Sequence, residues 1–205
     1  MRLIGDIHGN LQAYHEICRR TNGDTIQVGD FGIGFDKTGK FINDQETFYQ
    51  ETGRRHRFIR GNHDCLEMCK TMKSYIQDGS VFGDKMFVGG ASSIDVHSRT
   101  EGVDWWRDEE LSYNEWYDII DRYEDVKPRI MVTHDCPFFL YDEMLQSNKS
   151  QALPSITAKT FEIMLEIHAP KLWVFGHHHK TRVYDKNGCK FICLGIMDFI
   201  DIEIW

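Results

Sequence analysis

The stretch Leu3-Ile4-Gly5-Asp6-Ile7-His8 joins a short apolar run to two residues that commonly bind metal ions. An apolar run of this kind, followed by a turn residue, predicts a buried strand, with Asp6 and His8 directly after its carboxyl end. Residues two apart in an extended segment point to the same side. We therefore expect the carboxylate of Asp6 and the imidazole of His8 to face one common site.

The same arrangement recurs in four later segments, namely Gly29-Asp30, Gly61-Asn62-His63-Asp64, Thr133-His134 and Gly176-His177-His178-His179. Three of them follow apolar runs of strand length, at residues 26–28, 130–132 and 172–175. A weaker sixth segment, residues 89–95, ends in Asp95. A single Asp after Gly is usually a turn residue, and a single His after a strand is usually a satisfied core residue. Neither explanation accounts for the whole ordered set.

The side chains at these strand ends are carboxylates, one amide and several imidazoles. Such a set predicts a site for two divalent cations, which suits phosphoester hydrolysis. Two-residue spacing also predicts that His177 and His179 face this site and that His178 turns away. A mixture of oxygen and imidazole ligands favours Mn, Fe or Zn over Mg or Ca. We expect Mn²⁺, with Fe, Zn, Ni and Co as alternatives.

Strand and helix signals alternate in the first half of the chain. The pattern predicts strands at residues 2–5, 25–28 and 57–60 and helices at residues 11–20, 41–51 and 65–72. Alternation at this spacing is typical of βαβ units and a largely parallel sheet. Parallel sheets bind ligands outside the carboxyl ends of their strands, where Asp6, Asp30 and Asn62 lie.

The second half is less regular. It predicts a hairpin at residues 81–88, a helix at 112–123 with a capping box from Ser112 to Glu115, a strand at 130–133 and a helix at 156–168. Residues 135–154 are expected to form a loop over the site, and short strands are expected at 172–175, 182–184, 190–194 and 199–204. Two sheets stacked between helices fit this order.

Length and composition favour one domain over residues 1–205, with 41% hydrophobic and 27% charged residues. No apolar run approaches the roughly 20 residues that a membrane span needs, and no signal peptide is visible. The six cysteines form no CxxC pair, which favours reduced thiols in the cytoplasm. A net charge of −8 disfavours binding to extended duplex nucleic acid. It does not exclude a phosphate substrate, because two bound dications reverse the local field.

Together these segments resemble the calcineurin-like metallophosphoesterase superfamily, whose pattern is DxH, GD, GNH[DE], H and GHxH; the match runs from residue 6 to residue 179. The resemblance implies an α/β fold, a four-layer α/β/β/α sandwich of two mixed β-sheets flanked by helices. It places a dimetal site at the carboxyl ends of the strands. It also implies that Asp6, His8 and His179 hold one metal, that Asn62, His134 and His177 hold the other, and that Asp30 bridges them.

The resemblance further implies that a hydroxide held by the two cations attacks phosphorus. His63 would lie beside the substrate, stabilising the phosphoryl group or protonating the leaving oxygen, and Asp64 could orient it. The alternative for His63 is a structural contact outside the reacting atoms. Arg60 and Arg107 are candidates for gripping phosphate, although Arg60 could equally be a strand-end charge in solvent.

The chain departs from the Ser/Thr protein phosphatase branch. That branch reads GDxVDRG, whereas Gly29-Asp30 runs here into Phe31-Gly32-Ile33-Gly34, without the second Asp or the Arg. We therefore expect a phosphodiesterase acting on a small phosphodiester, a nucleotide or a short nucleic-acid end, with no membrane partner. The alternatives are a phosphomonoesterase acting on nucleotides or proteins, and a binding scaffold without catalysis. The oligomeric state stays open.

Overall fold

Two β-sheets lie face to face between two helical layers. The computed structural model describes residues 1–143 and 155–203. In chain order its elements are β1 (Arg2–Ile4), α1 (Leu11–Arg19), β2 (Thr25–Val28), α2 (Lys40–Glu51), β3 (His56–Ile59), α3 (Leu66–Cys69), β4 (Ser80–Phe82), β5 (Lys85–Val88), a 3₁₀ turn (Val96–Ser98), α4 (Tyr113–Val126), β6 (Ile130–Thr133), α5 (Leu140–Glu143), α6 (Ile156–Ile167), β7 (Leu172–Phe175), β8 (Arg182–Lys186), β9 (Cys189–Cys193) and β10 (Phe199–Asp201).

The first sheet has the strand order β10-β1-β2-β3. Its three N-terminal strands are parallel, so that Arg2 pairs with Thr25 and Thr25 pairs with His56, and β10 runs antiparallel to β1. The second sheet has the order β4-β5-β6-β7-β9-β8. Its central strands β5, β6, β7 and β9 are parallel, and β4 and β8 are antiparallel edges. Both sheets are therefore mixed, and each has a parallel centre.

Three apolar clusters separate the layers. The cluster between the sheets takes residues from both of them, including Leu3, Ile59, Val132 and Val174. A second cluster packs the first sheet against α1 and α2, and a third packs the second sheet against α4 and α6. The four-layer α/β/β/α sandwich of two mixed sheets flanked by helices is thus confirmed.

The helices begin where the sequence offers caps. Asn10 Oδ1 accepts a hydrogen bond from the backbone N–H of Ala13 at the start of α1, over a distance of 3.3 Å. At α4 the predicted capping box is present, since Ser112 Oγ and the Glu115 carboxylate each accept from the other residue's backbone N–H. None of the helices among residues 1–143 and 155–203 is long and apolar enough to span a bilayer.

Some predicted boundaries were wrong. The helix expected at residues 65–72 is the short α3, because the chain turns back towards the first sheet and the N–H of Ile76 donates to the carbonyl of Phe58. The loop expected at residues 135–154 contains α5, and its residues 144–154 lie outside the described part. The last strand ends at Asp201 rather than at residue 204, which also lies outside the described part.

Candidate dimetal site

All seven ligand-type residues predicted from the sequence follow carboxyl ends of parallel strands. Asp6 and His8 follow β1, Asp30 follows β2, Asn62 follows β3, His134 follows β6, and His177 and His179 follow β7. Ligand atoms of Asp6, His8, Asp30 and His179 all lie within 4.8 Å of one another, as do those of Asp30, His134 and His177. Two groups of potential ligands therefore meet at Asp30.

The ligands reach the site through tight turns rather than extended segments. His8, Asp30, His177 and His179 have φ values of 43°, 54°, 64° and 55°. Asp6 and His8 do face one common site, as the sequence predicted, but the extended backbone assumed for these segments was wrong. Left-handed backbone at non-glycine residues costs of order 1–3 kcal/mol each and tends to cluster at functional sites.

Glycines before the ligands make room for this arrangement. A Cβ on Gly61 would lie 2.1 Å from Asp30 Oδ1, and a Cβ on Gly29 would lie 2.2 Å from His134 Nδ1. Gly29 also has a φ of 101°, which favours glycine. The Gly in each of these segments therefore allows a ligand from another strand to approach closely.

The first group contains an unsatisfied acid and two facing imidazoles. Asp6 is fully buried, and its Oδ2 has no hydrogen-bond partner although it lies 3.2 Å from Nε2 of His179. Nε2 of His8 and Nε2 of His179 are 2.9 Å apart. A cation between these atoms would satisfy all three at once.

In the second group, His134 is oriented by the main chain. Its Nδ1 lies 2.9 Å from the carbonyl oxygen of Val28, so Nδ1–H is the donor and Nε2 is the nitrogen that faces the other ligand-type residues. Nε2 lies 3.0 Å from Asn62 Oδ1 and 3.3 Å from Asp30 Oδ1. A cation would find an imidazole nitrogen, an amide oxygen and a carboxylate oxygen together.

Asn62 is oriented by two residues that the sequence did not single out. Its Nδ2 donates to Ser93 Oγ over 2.8 Å, and Ser93 Oγ in turn donates to the carboxylate of Glu109 over 2.5 Å. The backbone N–H of Ser93 donates to the same carboxylate over 3.0 Å. This chain holds the amide nitrogen away from the site, so that Oδ1 faces it. Ser93 lies in the segment 89–95, where the sequence drew attention to Asp95 instead.

The electrostatic environment favours positive charge. Burial alone would raise the pKa of Asp30, but the neighbouring His134, His63 and His8 hold it far below its ordinary value. Burial, the largest single effect, lowers the pKa of His134, but the charge and hydrogen bond of Asp30, the charge of Asp6 and the carbonyl of Val28 together outweigh it and raise this pKa to about 10. Burial lowers the pKa of His177 to about 3, which keeps that imidazole neutral. The site thus combines ionised carboxylates with the neutral imidazole of His177, whereas His134 has to release a proton when a cation binds.

His63 faces different partners from the predicted one. Its Nδ1 lies 3.2 Å from the carbonyl oxygen of Asp104, and its Nε2 lies 3.4 Å from Nη2 of Arg99. Arg99 is itself ion-paired, at 2.7 Å from Asp95 and 3.7 Å from Asp104. Since a guanidinium only donates, Nε2 of His63 accepts and Nδ1 carries the proton. No sequence motif identifies Arg99, because its position beside His63 depends on the conformation of the loop that follows β5.

The expectation that Asp64 orients His63 was wrong. The buried Asp64 carboxylate accepts four backbone N–H groups, at 2.7–2.9 Å, from Phe31, Gly32, Ile33 and Gly61. The glycine-rich turn after Asp30 leaves these donors without strand partners, and Asp64 satisfies them. Asp64 therefore supports the two loops that carry Asp30 and Asn62.

The two candidate arginines have other contacts. Arg60 is fully buried, so the alternative of a solvent-exposed charge was wrong. Its Nε donates to Asp78 over 2.8 Å, and its Nη1 donates to the carbonyls of Asp108 and Glu109 over 2.9 Å. Arg107 is exposed and pairs with Glu101 at 2.6 Å. Within residues 1–143 and 155–203, neither guanidinium has a hydrogen bond or ion pair with the seven ligand-type side chains.

His178 turns away from the ligand groups, as expected. Its Nε2 lies 3.1 Å from Asp135 Oδ1, and Tyr141 donates its hydroxyl to Asp135 Oδ2 over 2.7 Å. Together with Cys136 these residues form a third cluster of ligand type. Burial raises the pKa of the Cys136 thiol well above its ordinary value, which disfavours a thiolate ligand. The cluster anchors the turn that carries His177 and His179.

The chain is similar to known proteins in its sequence pattern and in its fold. A family model described as calcineurin-like phosphoesterase matches residues 2–181. A comparison with curated protein sequences finds no match. Among solved structures, GAP50, the anchor in the inner membrane complex of Plasmodium, is similar with a TM-score of 0.56 and 12% sequence identity, covering 95% of this chain and 71% of that one. At that identity the likeness shows the fold alone. With its family match over most of the sequence, the chain belongs to the calcineurin-like phosphoesterase family, whose members are metal-dependent phosphoesterases.

Proposed function

We propose that the protein is a phosphodiesterase that uses two divalent cations, with Mn²⁺ preferred. Its substrate would be a small phosphodiester, a nucleotide or a short nucleic-acid end. The observation that carries the proposal is the meeting of two ligand groups at the shared Asp30. Paired cations on a shared carboxylate suit phosphoester hydrolysis.

The donor set fits such cations. Asp6, His8 and His179 would hold one cation and Asn62, His134 and His177 the other, with Asp30 between them. The buried Oδ2 of Asp6 supports this assignment, because it accepts no hydrogen bond and a buried carboxylate oxygen without one is costly. When bound, the cations would lower the pKa of a water molecule and neutralise charge on the phosphoryl oxygens.

His63 and Arg99 are proposed to act on the substrate itself. With Nδ1–H directed at the carbonyl of Asp104, the nitrogen of His63 that faces Arg99 is Nε2. Nε2 is then the atom that would take up a proton, and the resulting imidazolium would give that proton to the leaving oxygen or donate to a phosphoryl oxygen. Arg99, next to Nε2, would bind the same phosphoryl group.

Charge favours a diester over a monoester. Arg99 is already paired with Asp95 and Asp104, so it adds little net charge to the site. A phosphodiester carries one negative charge, and a monoester carries nearly two at neutral pH. Such a site suits the monoanion. A phosphomonoesterase acting on nucleotides or proteins is the second candidate, favoured if substrate draws Arg99 away from its acidic partners.

The test is hydrolysis of bis-p-nitrophenyl phosphate and p-nitrophenyl phosphate by metal-stripped protein reloaded with Mn²⁺. We expect a higher kcat/KM for the diester. Faster turnover of the monoester would replace the proposal with the second candidate. Parallel assays after reloading with Zn²⁺, Fe²⁺, Co²⁺ or Ni²⁺ rank the metals by the hydrolysis that each supports.

A binding scaffold without catalysis is the remaining alternative, and Asp30→Asn tests it. This variant keeps the shape of the side chain but removes the shared charge, so an enzyme would lose both bound metal and hydrolysis. Asp44→Asn is the matched control, since it removes a carboxylate that pairs with Lys40 on the surface of α2. Absence of hydrolysis with every metal, in protein that binds two ions, would favour the scaffold.

We also propose a cytoplasmic protein without a membrane or extended duplex partner. Its six cysteines are free, and five of them are buried, which supports a reducing compartment. The net charge of −8 supports small phosphate substrates over long duplexes.

A further inference from the structure

A second concave site lies at the opposite ends of the strands from the ligand groups. It is a cavity of about 310 Å³ lined by basic residues, one acid and aromatic surface. Its lining includes Asp24, Arg54, Arg55, Arg57, Phe82 and Lys85. We call it the basic pocket.

The basic pocket is separate from the ligand groups. Thr25, which lines it, begins β2, whereas Asp30 follows the other end of the same strand. Arg57 lies near the start of β3, whereas Asn62 follows its end. Since a strand rises roughly 3.3 Å per residue, the two sites lie at opposite ends of strands of about 13 Å.

The three arginines of the basic pocket make contacts with neutral groups. Arg55 donates from Nε to the carbonyl of Thr52 over 2.8 Å and from Nη1 to the carbonyl of Asn22. Arg54 donates to Gln50 Oε1 over 3.1 Å, and the guanidinium of Arg57 lies 5.4 Å from the ring centre of Phe82. In the described part of the chain, none of the three forms an ion pair with a carboxylate.

Positive charge in the basic pocket therefore exceeds its counter-charge. Lys85 pairs with Asp84, and Asp24 is the one acid in the lining, so the lining and Asp84 together carry four cationic side chains and two acidic ones. This is unusual in a chain of net charge −8. The carbonyl contacts of Arg55 hold its guanidinium in place, so little side-chain entropy is lost when an anion binds. Fixed and unpaired guanidinium groups in a concavity attract anions.

We propose that the basic pocket binds a small molecule through its phosphate group. Arginine forks match phosphate oxygens, and the cavity volume is at the lower end of the range for small-molecule sites. Phe82, at 42% exposure, offers an apolar surface beside the cations for the rest of the molecule. The phosphate could be free or esterified, and both forms are tested.

The experiment is a titration of ¹⁵N-labelled, metal-free protein in chelator with inorganic phosphate and with phenyl phosphate. Without metal, the carboxylates of the ligand groups repel these anions, so the two sites are distinguishable. We expect saturable shifts of the amides of Ile26, Arg57 and Lys85. Tighter binding of phenyl phosphate would identify an esterified ligand, and equal binding would identify free phosphate; either result supports the site.

Three variants complete the test. Arg55→Gln and Arg57→Gln should each weaken binding about tenfold, the loss of one charge-assisted contact. Arg182→Gln is the matched control, because Arg182 is exposed on β8 at the far edge of the second sheet. If Arg55→Gln fails to fold, Arg57→Gln alone decides. Shifts confined to residues near Asp6 and Asp30, no saturation, or equal affinity in Arg57→Gln and Arg182→Gln would overturn the proposal. The test does not depend on hydrolysis.

Discussion

Replacing Ser93 with alanine should impair one metal position and spare the other. Ser93 Oγ accepts from Nδ2 of Asn62 over 2.8 Å and donates to the Glu109 carboxylate over 2.5 Å. Without it, the buried Nδ2 has no acceptor, and the amide of Asn62 is free to turn its nitrogen towards Nε2 of His134. A donor would then replace the proposed oxygen ligand.

The expected loss of metal affinity in Ser93→Ala follows from these contacts. Leaving one buried amide donor unpaired costs about 1–3 kcal/mol, which corresponds to roughly 5–150-fold in an equilibrium constant. Loss of groups that orient metal ligands weakens metal binding by about 10–100-fold. We therefore expect Mn²⁺ at the position of Asn62, His134 and His177 to bind about 10–100-fold more weakly. Binding at the position of Asp6, His8 and His179 should change little.

Calorimetric titration of metal-free protein with Mn²⁺, supported by metal analysis after dialysis, measures both positions. Ser92→Ala is the control, since it makes the same change one residue earlier, at a half-buried position outside this hydrogen-bond chain. Two ions bound by Ser93→Ala with unchanged affinity would refute the reasoning, as would equal weakening of both positions.

Three further predictions follow from single side chains. His63→Ala should lower kcat about 10²–10⁴-fold while two ions stay bound, measured by Mn²⁺-dependent hydrolysis and metal analysis; loss of metal instead would show that His63 is structural. Asp64→Ala should lower the free energy of unfolding by at least about 3 kcal/mol in urea, because four backbone N–H groups lose their acceptor, and an unchanged urea midpoint would contradict this role. Burial and then Arg55 lower the pKa of His56 to about 4, so the unfolded chain takes up the proton first and stability should fall as the pH drops from about 6.5 to about 4. Urea unfolding across this range should show a smaller fall for His56→Gln, and parallel curves would exclude His56 as the cause.

The sequence predicted the features that depend on local residue pattern and on the order of the strands. Apolar runs followed by Asp or His place ligand-type residues at the carboxyl ends of strands, because parallel strands share one edge. The order of strands and helices fits two sheets stacked between helices, and the resemblance to the family implies the full four-layer fold. The capping box at Ser112 is equally local.

Side-chain contacts between residues that are far apart in the sequence could not be predicted. Ser93 lies 31 residues from Asn62, so no local pattern connects them. Arg60 is buried because Asp78 and the carbonyls after residue 107 meet it in space. Asp64 follows His63 directly in the sequence, yet its carboxylate does not contact His63 and instead accepts hydrogen bonds from the backbone turn at residues 31–33. Left-handed turns at His8 and His179 depend on the packed site and have no composition signal of their own.

The seven proposed ligands are divided between the two sheets, and this division would make metal binding a late event in assembly. Asp6, His8, Asp30 and Asn62 follow strands of the first sheet, whereas His134, His177 and His179 follow strands of the second. Each ligand group draws on both sheets, so neither is complete until the layers have docked. During synthesis, residues 177–179 leave the ribosome long after residues 6–8, and until then a nascent chain lacks the imidazoles that close either group. A partly made or misdocked chain would therefore lack a complete set of the proposed ligands, and a bound pair of cations would link the two layers.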